Sequence, residues 1–151
     1  MRAMRCVARL LVLLACAACA SVGVTVPFST LVKGLNSGVR EPAQVVIRSP
    51  NEWAAFWGRH TQAQTRPPPA PPVDFSRDMV VVLFMGERAT GGYEIEVTNV
   101  ERTDVGLSIR YRTRSPDPGA MLIQALTQPF HLIRLPRIDG SVVFEPEGPA
   151  R

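Results

Sequence analysis

The stretch DMVVVLFMG, residues 78–86, decides the fold of this chain of 151 residues. It is apolar without alternation, which is typical of a central strand that is buried on both faces. Two later stretches, GYEIEVTNV (92–100) and GLSIRYRTR (106–114), alternate strictly between apolar and polar residues. Each therefore predicts a strand with one buried face, and the short connection at 103–106 joins the two into an antiparallel hairpin.

The polar face of this hairpin carries charged side chains. Keeping the two apolar faces together predicts that Glu94 lies across from Arg112 and that Glu96 lies across from Arg110. Exposed pairs of this kind are worth at most about 1 kcal/mol each. We therefore expect the arginines at 110, 112 and 114 to form a solvated, paired face before they form a docking patch.

A capped helix is predicted to begin at Ser49. Ser49 suits the N-cap, Pro50 suits the first helical position, and Glu52 completes a capping box. His60 ends this helix, where a positive charge would complement the helix dipole.

Three aromatic residues, Trp53, Phe56 and Trp57, are spaced so that they share one face of this helix. The pattern favours a helix packed onto a sheet, and a ligand shelf is the alternative. The stretch 61–73 contains five prolines and cannot continue the helix, so it predicts a stiff surface loop.

The remaining strands are predicted at 44–48, 129–136 and 141–146, with an irregular edge strand at 24–33 that contains Pro27. The predicted fold class is α+β and mostly β. It consists of an antiparallel sheet or sandwich of about six strands with one short packed helix.

The N-terminus reads as a secretory leader over residues 1–20. Three arginines precede or interrupt a short apolar run that ends in small residues. Cys19 is the predicted site of lipidation, Cys16 is the alternative site, and plain secretion after Ala20 is the alternative mode. The expected location is the cell envelope, either lipid-anchored or free in the periplasm or medium.

Removal of the leader changes the charge and the cysteine count. The three leader arginines reduce 17 basic residues to 14, against 13 acidic ones, so the mature chain is nearly neutral. This excludes the strongly basic composition of nucleic-acid-binding domains. All three cysteines lie in the leader, so we expect neither a disulfide nor thiolate chemistry in the mature domain.

The sequence offers no catalytic or metal-binding pattern. The two histidines, His60 and His131, stand alone, and no zinc-binding spacing or nucleophile elbow is present. Gly91 and Gly92 lead into a strand rather than a helix and lack the lysine of a phosphate-binding loop. We expect no catalytic residue, cofactor or metal, and we expect the glycine pair to form a tight turn that opens a strand.

Four stretches resemble the C-terminal domain of the PrcB family of protease complex subunits. They are SPNEWAAFWGRH (49–60), PPVDFSRDMVVVLFMGERATGGYEIEV (71–97), SPDPGAM (115–121) and LTQPFHLIRLP (126–136). The resemblance implies a small bacterial envelope protein that is not an enzyme. The namesake of the family is a lipoprotein that supports an extracellular subtilisin-like protease.

A looser similarity links three loops to those of chagasin-like cysteine-protease inhibitors. The stretches 90–93, 118–120 and 128–130 occur in a similar order, although the helix with two tryptophans is foreign to that fold. The similarity implies that one rim of the domain touches a protease. The partner-binding residues expected on this basis are Thr90, Gly91, Gly92, Tyr93, Pro118, Gly119 and Met121.

The sequence thus predicts a leader at 1–20, an N-terminal extension with an edge strand at 21–43, and a PrcB C-terminal-like domain at 44–147. The predicted function is a non-catalytic interaction module that binds or stabilises an extracytoplasmic protease. The alternatives are a protease inhibitor that uses the same rim and a passive envelope protein. No nucleic-acid partner is expected, and contact with the membrane is expected only through the N-terminal lipid.

Overall fold

Eight β-strands and one α-helix make up residues 23–148, the part of the chain that this computed structural model describes. The elements are β1 (Val24–Thr25), β2 (Ser29–Gly34), β3 (Ala43–Ile47), α1 (Pro50–Thr61), β4 (Asp78–Phe84), β5 (Glu94–Thr103), β6 (Gly106–Arg114), β7 (Phe130–Pro136) and β8 (Ser141–Pro146). The predicted leader and both candidate lipidation residues, Cys16 and Cys19, lie outside these residues.

The strands form two sheets of four. One has the order β2-β7-β4-β3 and is called the two-faced sheet below, because both of its faces are covered. The other has the order β1-β5-β6-β8 and is called the hairpin sheet. The mostly β fold class with one short helix is therefore confirmed.

Two details of the predicted architecture need correction. The stretch 24–33, predicted as one edge strand, divides around Pro27 into β1 and β2, which pair with β5 and β7 in different sheets. The hairpin sheet is also not purely antiparallel, because β8 runs parallel to β6 from the pair Gly106 and Ser141 onward. After β7 the chain enters β8 beside the start of β6, so β8 runs in the same direction as β6.

Strand β4 lies at the centre of the two-faced sheet, as its uninterrupted apolar sequence predicts. Residues 79–83 are completely buried. Val80 and Val82 contact the cluster beneath α1, and Val81 and Leu83 contact the cluster between the two sheets. A strand in this position needs apolar side chains at every residue, which explains the missing alternation.

The helix begins with the predicted capping box. The backbone N–H of Glu52 donates to Ser49 Oγ at 3.3 Å, and the backbone N–H of Ser49 donates to Glu52 Oε2 at 3.1 Å. Pro50 occupies the first turn, where its missing N–H removes no helical hydrogen bond.

The aromatic face of α1 is buried against the two-faced sheet, which confirms the packing interpretation. Trp53, Phe56 and Trp57 are all buried. The indole N–H of Trp57 donates to the carbonyl of Pro68 at 2.8 Å, and that of Trp53 donates to the carbonyl of Pro71 at 3.1 Å. The carbonyls of the proline-rich loop thus satisfy both indoles, while the outer side of the helix stays exposed.

The predicted register of the hairpin is wrong by two residues at its open end. Glu94 lies across from Arg114, and Glu96 lies across from Arg112. A bulge between Val97 and Asn99 shifts the register there, so that Val100 is turned into the core. The alternation of side chains allows any even shift of register, and the turn at Thr103 and Gly106 selects the actual one.

Candidate functional site: a loop rim beside the hairpin sheet

Two loops that flank the β5–β6 hairpin meet at one end of the sandwich. They comprise residues 90–93, which lead into β5, and residues 116–126, which follow β6, and together they are called the loop rim. The backbone N–H of Gly91 donates to the carbonyl of Ile123 at 2.9 Å. Directly after the second loop, Thr127 Oγ1 donates to the carbonyl of Thr90 at 2.8 Å. The two loops are therefore held together by hydrogen bonds between residues that are remote in sequence.

The two glycines of the rim have different roles. Gly92 has a φ of +86°, and an added Cβ would lie 2.8 Å from Pro116 Cβ and 2.9 Å from Leu122 Cδ2. Gly91 is buried, and an added Cβ would lie 3.7 Å from Ile123 Cβ, an ordinary contact distance. Only Gly92 is required by both backbone conformation and close packing.

The 116–126 loop exposes a group of large apolar side chains. Met121 is fully exposed, Ile123 is 74% exposed and Leu126 is 59% exposed. Pro118 and Gly119 lie at the outer tip, where the backbone N–H of Ala120 donates to the carbonyl of Asp117 at 3.1 Å. The set predicted from sequence lacked Ile123 and Leu126, although an apolar run in a connection between strands is a signal for exposed apolar side chains.

The residues predicted for partner binding are thus brought to one end of the molecule, at different depths. Pro118, Gly119 and Met121 are exposed, Tyr93 is half-buried, and Gly91 is buried between the loops. The third stretch of the inhibitor-like set, 128–130, lies beneath the surface, because Pro129 and Phe130 are buried.

Beneath the rim lies a cavity of about 360 Å³. Leu35 and Phe130 contribute apolar walls, Gly92 and Tyr93 lie on its rim side, and Lys33 adds a charge. The volume falls within the range of roughly 300–1,000 Å³ that is usual for small-molecule pockets.

Ion pairs connect the two sheets next to this cavity. Lys33, on β2, forms salt bridges with Glu94 and Glu96 on β5, and Glu96 also pairs with Arg112 at 3.5 Å. The hydrogen bond from Lys33 lowers the pKa of Glu94. The side chains are partly exposed, so each pair contributes little to stability.

His131 is a buried connector between the sheets. Its Nδ1 accepts the backbone N–H of Val97 at 2.9 Å, and its Nε2 lies 2.8 Å from Thr30 Oγ1. Because Nδ1 is an acceptor, the neutral ring carries its proton on Nε2 and donates it to Thr30. Burial lowers the pKa of His131, and the nearby charge of Lys33 lowers it further.

His60 is also buried, so the prediction that its charge complements the helix dipole is wrong. The ring lies 4.6 Å from Phe130 between centroids, and its Nδ1 lies 2.9 Å from Ser37 Oγ. Burial lowers the pKa of His60, because an imidazolium loses hydration among aromatic rings.

Metal-binding clusters and membrane-spanning helices are both absent from residues 23–148. Within this range, no group of three or more His, Cys, Asp and Glu side chains is arranged to hold a metal ion. No helix within it is long and apolar enough to cross a membrane.

The family model described as PrcB C-terminal matches residues 79–136. The match confirms the resemblance to the PrcB family over this segment, which includes almost all of β4, strands β5 to β7 and the whole loop rim. No curated protein and no solved structure matches the chain. The coarse functional conclusion is therefore a domain similar to that of protease complex subunits.

Proposed function

We propose that this protein is a non-catalytic subunit that binds and stabilises an extracytoplasmic protease through its loop rim. The family match supports association with a protease complex. The predicted leader supports an envelope location, with a lipid at Cys19 as the proposed anchor. Both the partner and the anchor are parts of the proposal.

The observation that carries the proposal is the group of exposed apolar side chains on the rim. Met121, Ile123 and Leu126 project from one loop that is tied to a second loop by hydrogen bonds. Because hydrogen bonds already hold the backbone of both loops, this backbone loses little conformational freedom on binding, and methionine is among the residues enriched in protein interfaces.

Contacts within the rim and with Arg88 hold its two loops together. Gly92 lies between Pro116 and Leu122, and Tyr93 is held beneath the tips by the guanidinium of Arg88, which lies 5.5 Å from its ring centroid. A partner would therefore meet a preformed surface, with the cavity beneath the rim open to one of its side chains.

The test begins with crosslinking and capture of the tagged chain from its own envelope. Any protease recovered is then purified and titrated with the protein, and both its affinity and its activity are measured. An accessory subunit maintains or raises the activity and extends the half-life of the protease. An inhibitor lowers the activity, and a passive envelope protein does not bind.

Two rim variants and one matched control localise the contact. Met121→Asp and Ile123→Asp should each weaken binding at least about tenfold, or about 1.4 kcal/mol. Val105→Asp makes the same chemical change at a 69% exposed residue at the far end of β5 and should bind normally. Equal binding by all three variants would exclude the loop rim as the contact surface.

A further inference from the structure

A second cavity, of about 500 Å³, opens between the two sheets beside the edge strand β3 and is called the inter-sheet cleft. Its apolar walls include Ala43, Met85 and Ile95. Among the described residues, Arg88 is the one charged residue that lines it. The cleft shares none of the residues of the loop rim, although Tyr93 of the rim covers one face of Arg88.

The guanidinium of Arg88 has unused hydrogen-bonding capacity. Nη2 donates to the carbonyl of Met85 at 3.0 Å, while Nε is buried and has no acceptor within the described part of the chain. No salt bridge joins Arg88 to any carboxylate of residues 23–148, and the neighbouring Glu87 pairs with Arg40 instead. A half-buried arginine without a counter-charge, at the wall of an open cavity, matches the geometry and charge of an incoming carboxylate.

The polar groups of the cleft narrow the class of ligand. Gln44, Tyr111 and Thr113 also line it, and the side-chain amide of Gln44 donates to the hydroxyl of Tyr111 at 3.2 Å. A plain fatty acid would place its apolar chain against these polar groups. A peptide chain has amide groups next to its terminal carboxylate and can use them.

We propose that the inter-sheet cleft binds the C-terminal carboxylate of a peptide chain whose last side chain is apolar. Arg88 pairs with the carboxylate, the last side chain lies against Met85 and Ile95, and the preceding peptide groups bond to Gln44 or Tyr111. This site goes beyond the proposed function. It stands whether or not the loop rim binds a protease.

The test titrates the full chain with acetyl-Ala-Ala-Leu as the free acid and as the C-terminal amide, followed by NMR. The acid should shift the backbone signals of residues 43–44, 85–88 and 111–113 in a saturable way. The amide should bind at least about tenfold more weakly, because it lacks the charge that pairs with arginine. Affinities within about threefold of each other, or no saturable shift, would overturn the proposal.

Matched arginine variants and a second acid complete the design. Arg88→Gln should weaken the binding of the acid at least about tenfold. Arg48→Gln should not, although Arg48 is also half-buried, has a buried Nε without an acceptor and donates to one carbonyl through Nη2 at 3.1 Å. The comparison of acid with amide uses the unaltered chain and decides the proposal even if Arg88→Gln fails to fold. Tighter binding of octanoate than of the peptide acid would overturn the assignment to a peptide.

Discussion

The two sheets of the sandwich are buried to different extents. The two-faced sheet is covered by α1 on one side and by the hairpin sheet on the other, so its central strand β4 is apolar throughout. The hairpin sheet buries one face, and its other face carries partly exposed ion pairs such as Glu96 with Arg112. Both loops of the rim flank the strands of this second sheet.

Because of this difference in burial, the residues that stabilise the fold are largely separate from the residues that are available for surface contacts. Strands β4 and β7 alone supply ten of the 21 buried apolar side chains of residues 23–148, because side chains on both of their faces lose water. The hairpin sheet needs only one apolar face, so its other face and its flanking loops can vary without opening the core. A binding surface is therefore expected on the loops of the hairpin sheet.

The largest expected effect tests whether both faces of the two-faced sheet contribute. Leu132 belongs to the cluster beneath α1, and its neighbour Ile133 belongs to the cluster between the sheets; both are completely buried. Leu132→Ala and Ile133→Ala should each lower the free energy of unfolding by about 2–5 kcal/mol. Denaturant unfolding measures both, and a cost below about 1 kcal/mol for Leu132→Ala would show that the helix layer adds little.

The next effect concerns the glycine pair of the rim. Gly92→Ala places a Cβ against Pro116 at a φ of +86° and should cost about 1–3 kcal/mol of unfolding free energy. Gly91→Ala is the matched control, because its Cβ meets Ile123 at 3.7 Å, and it should change stability by less than about 0.5 kcal/mol. Equal costs for the two variants would contradict the distinct roles assigned to them.

Acid should lower the free energy of unfolding through the two buried histidines. The pKa values of His60 and His131 are lowered in the folded state, so the unfolded chain binds more protons once the pH falls below about 6.5. Stability is complete above that pH and is lost as the pH falls towards the folded pKa values. Each histidine contributes up to about 1.4 kcal/mol for every pH unit by which its pKa is lowered.

The measurement is the free energy of unfolding from pH 8 to 5, with each imidazole followed by NMR. His131 is the more informative residue, because protonation of Nδ1 removes its hydrogen bond from Val97, which connects the two sheets. Lys33 opposes that protonation and the nearby Glu94 and Glu96 favour it. A ring that protonates at or above pH 6.5 would contradict the burial argument.

The smallest effect is expected on the solvated face of the hairpin sheet. A double-mutant cycle between Glu96 and Arg112, with alanine at each position, should give a coupling energy of about 0.2–1 kcal/mol that decreases in high salt. A coupling above about 2 kcal/mol would mean that this face stabilises the fold as the buried faces do.

Residues with local signals could be placed from the sequence. The capping box from Ser49 to Glu52 and the double burial of β4 follow from neighbours in the chain, and the structure has both. The match to the PrcB C-terminal model likewise lies on stretches that were recognisable from their order. The domain boundary at residue 44, the lipidation site and the partner-binding residues stay predictions.

What the residue pattern established was the type of each element, because backbone propensity and side-chain alternation act over a few residues. The partners of those elements depended on contacts remote in sequence. In the folded chain, Arg112 rather than Arg110 lies across from Glu96. Strands β1 and β2 pair in different sheets, and His131 is buried between the two sheets. Alternation is unchanged by a shift of two residues, so only the closure of the turn and the packing of the whole sandwich could distinguish these arrangements.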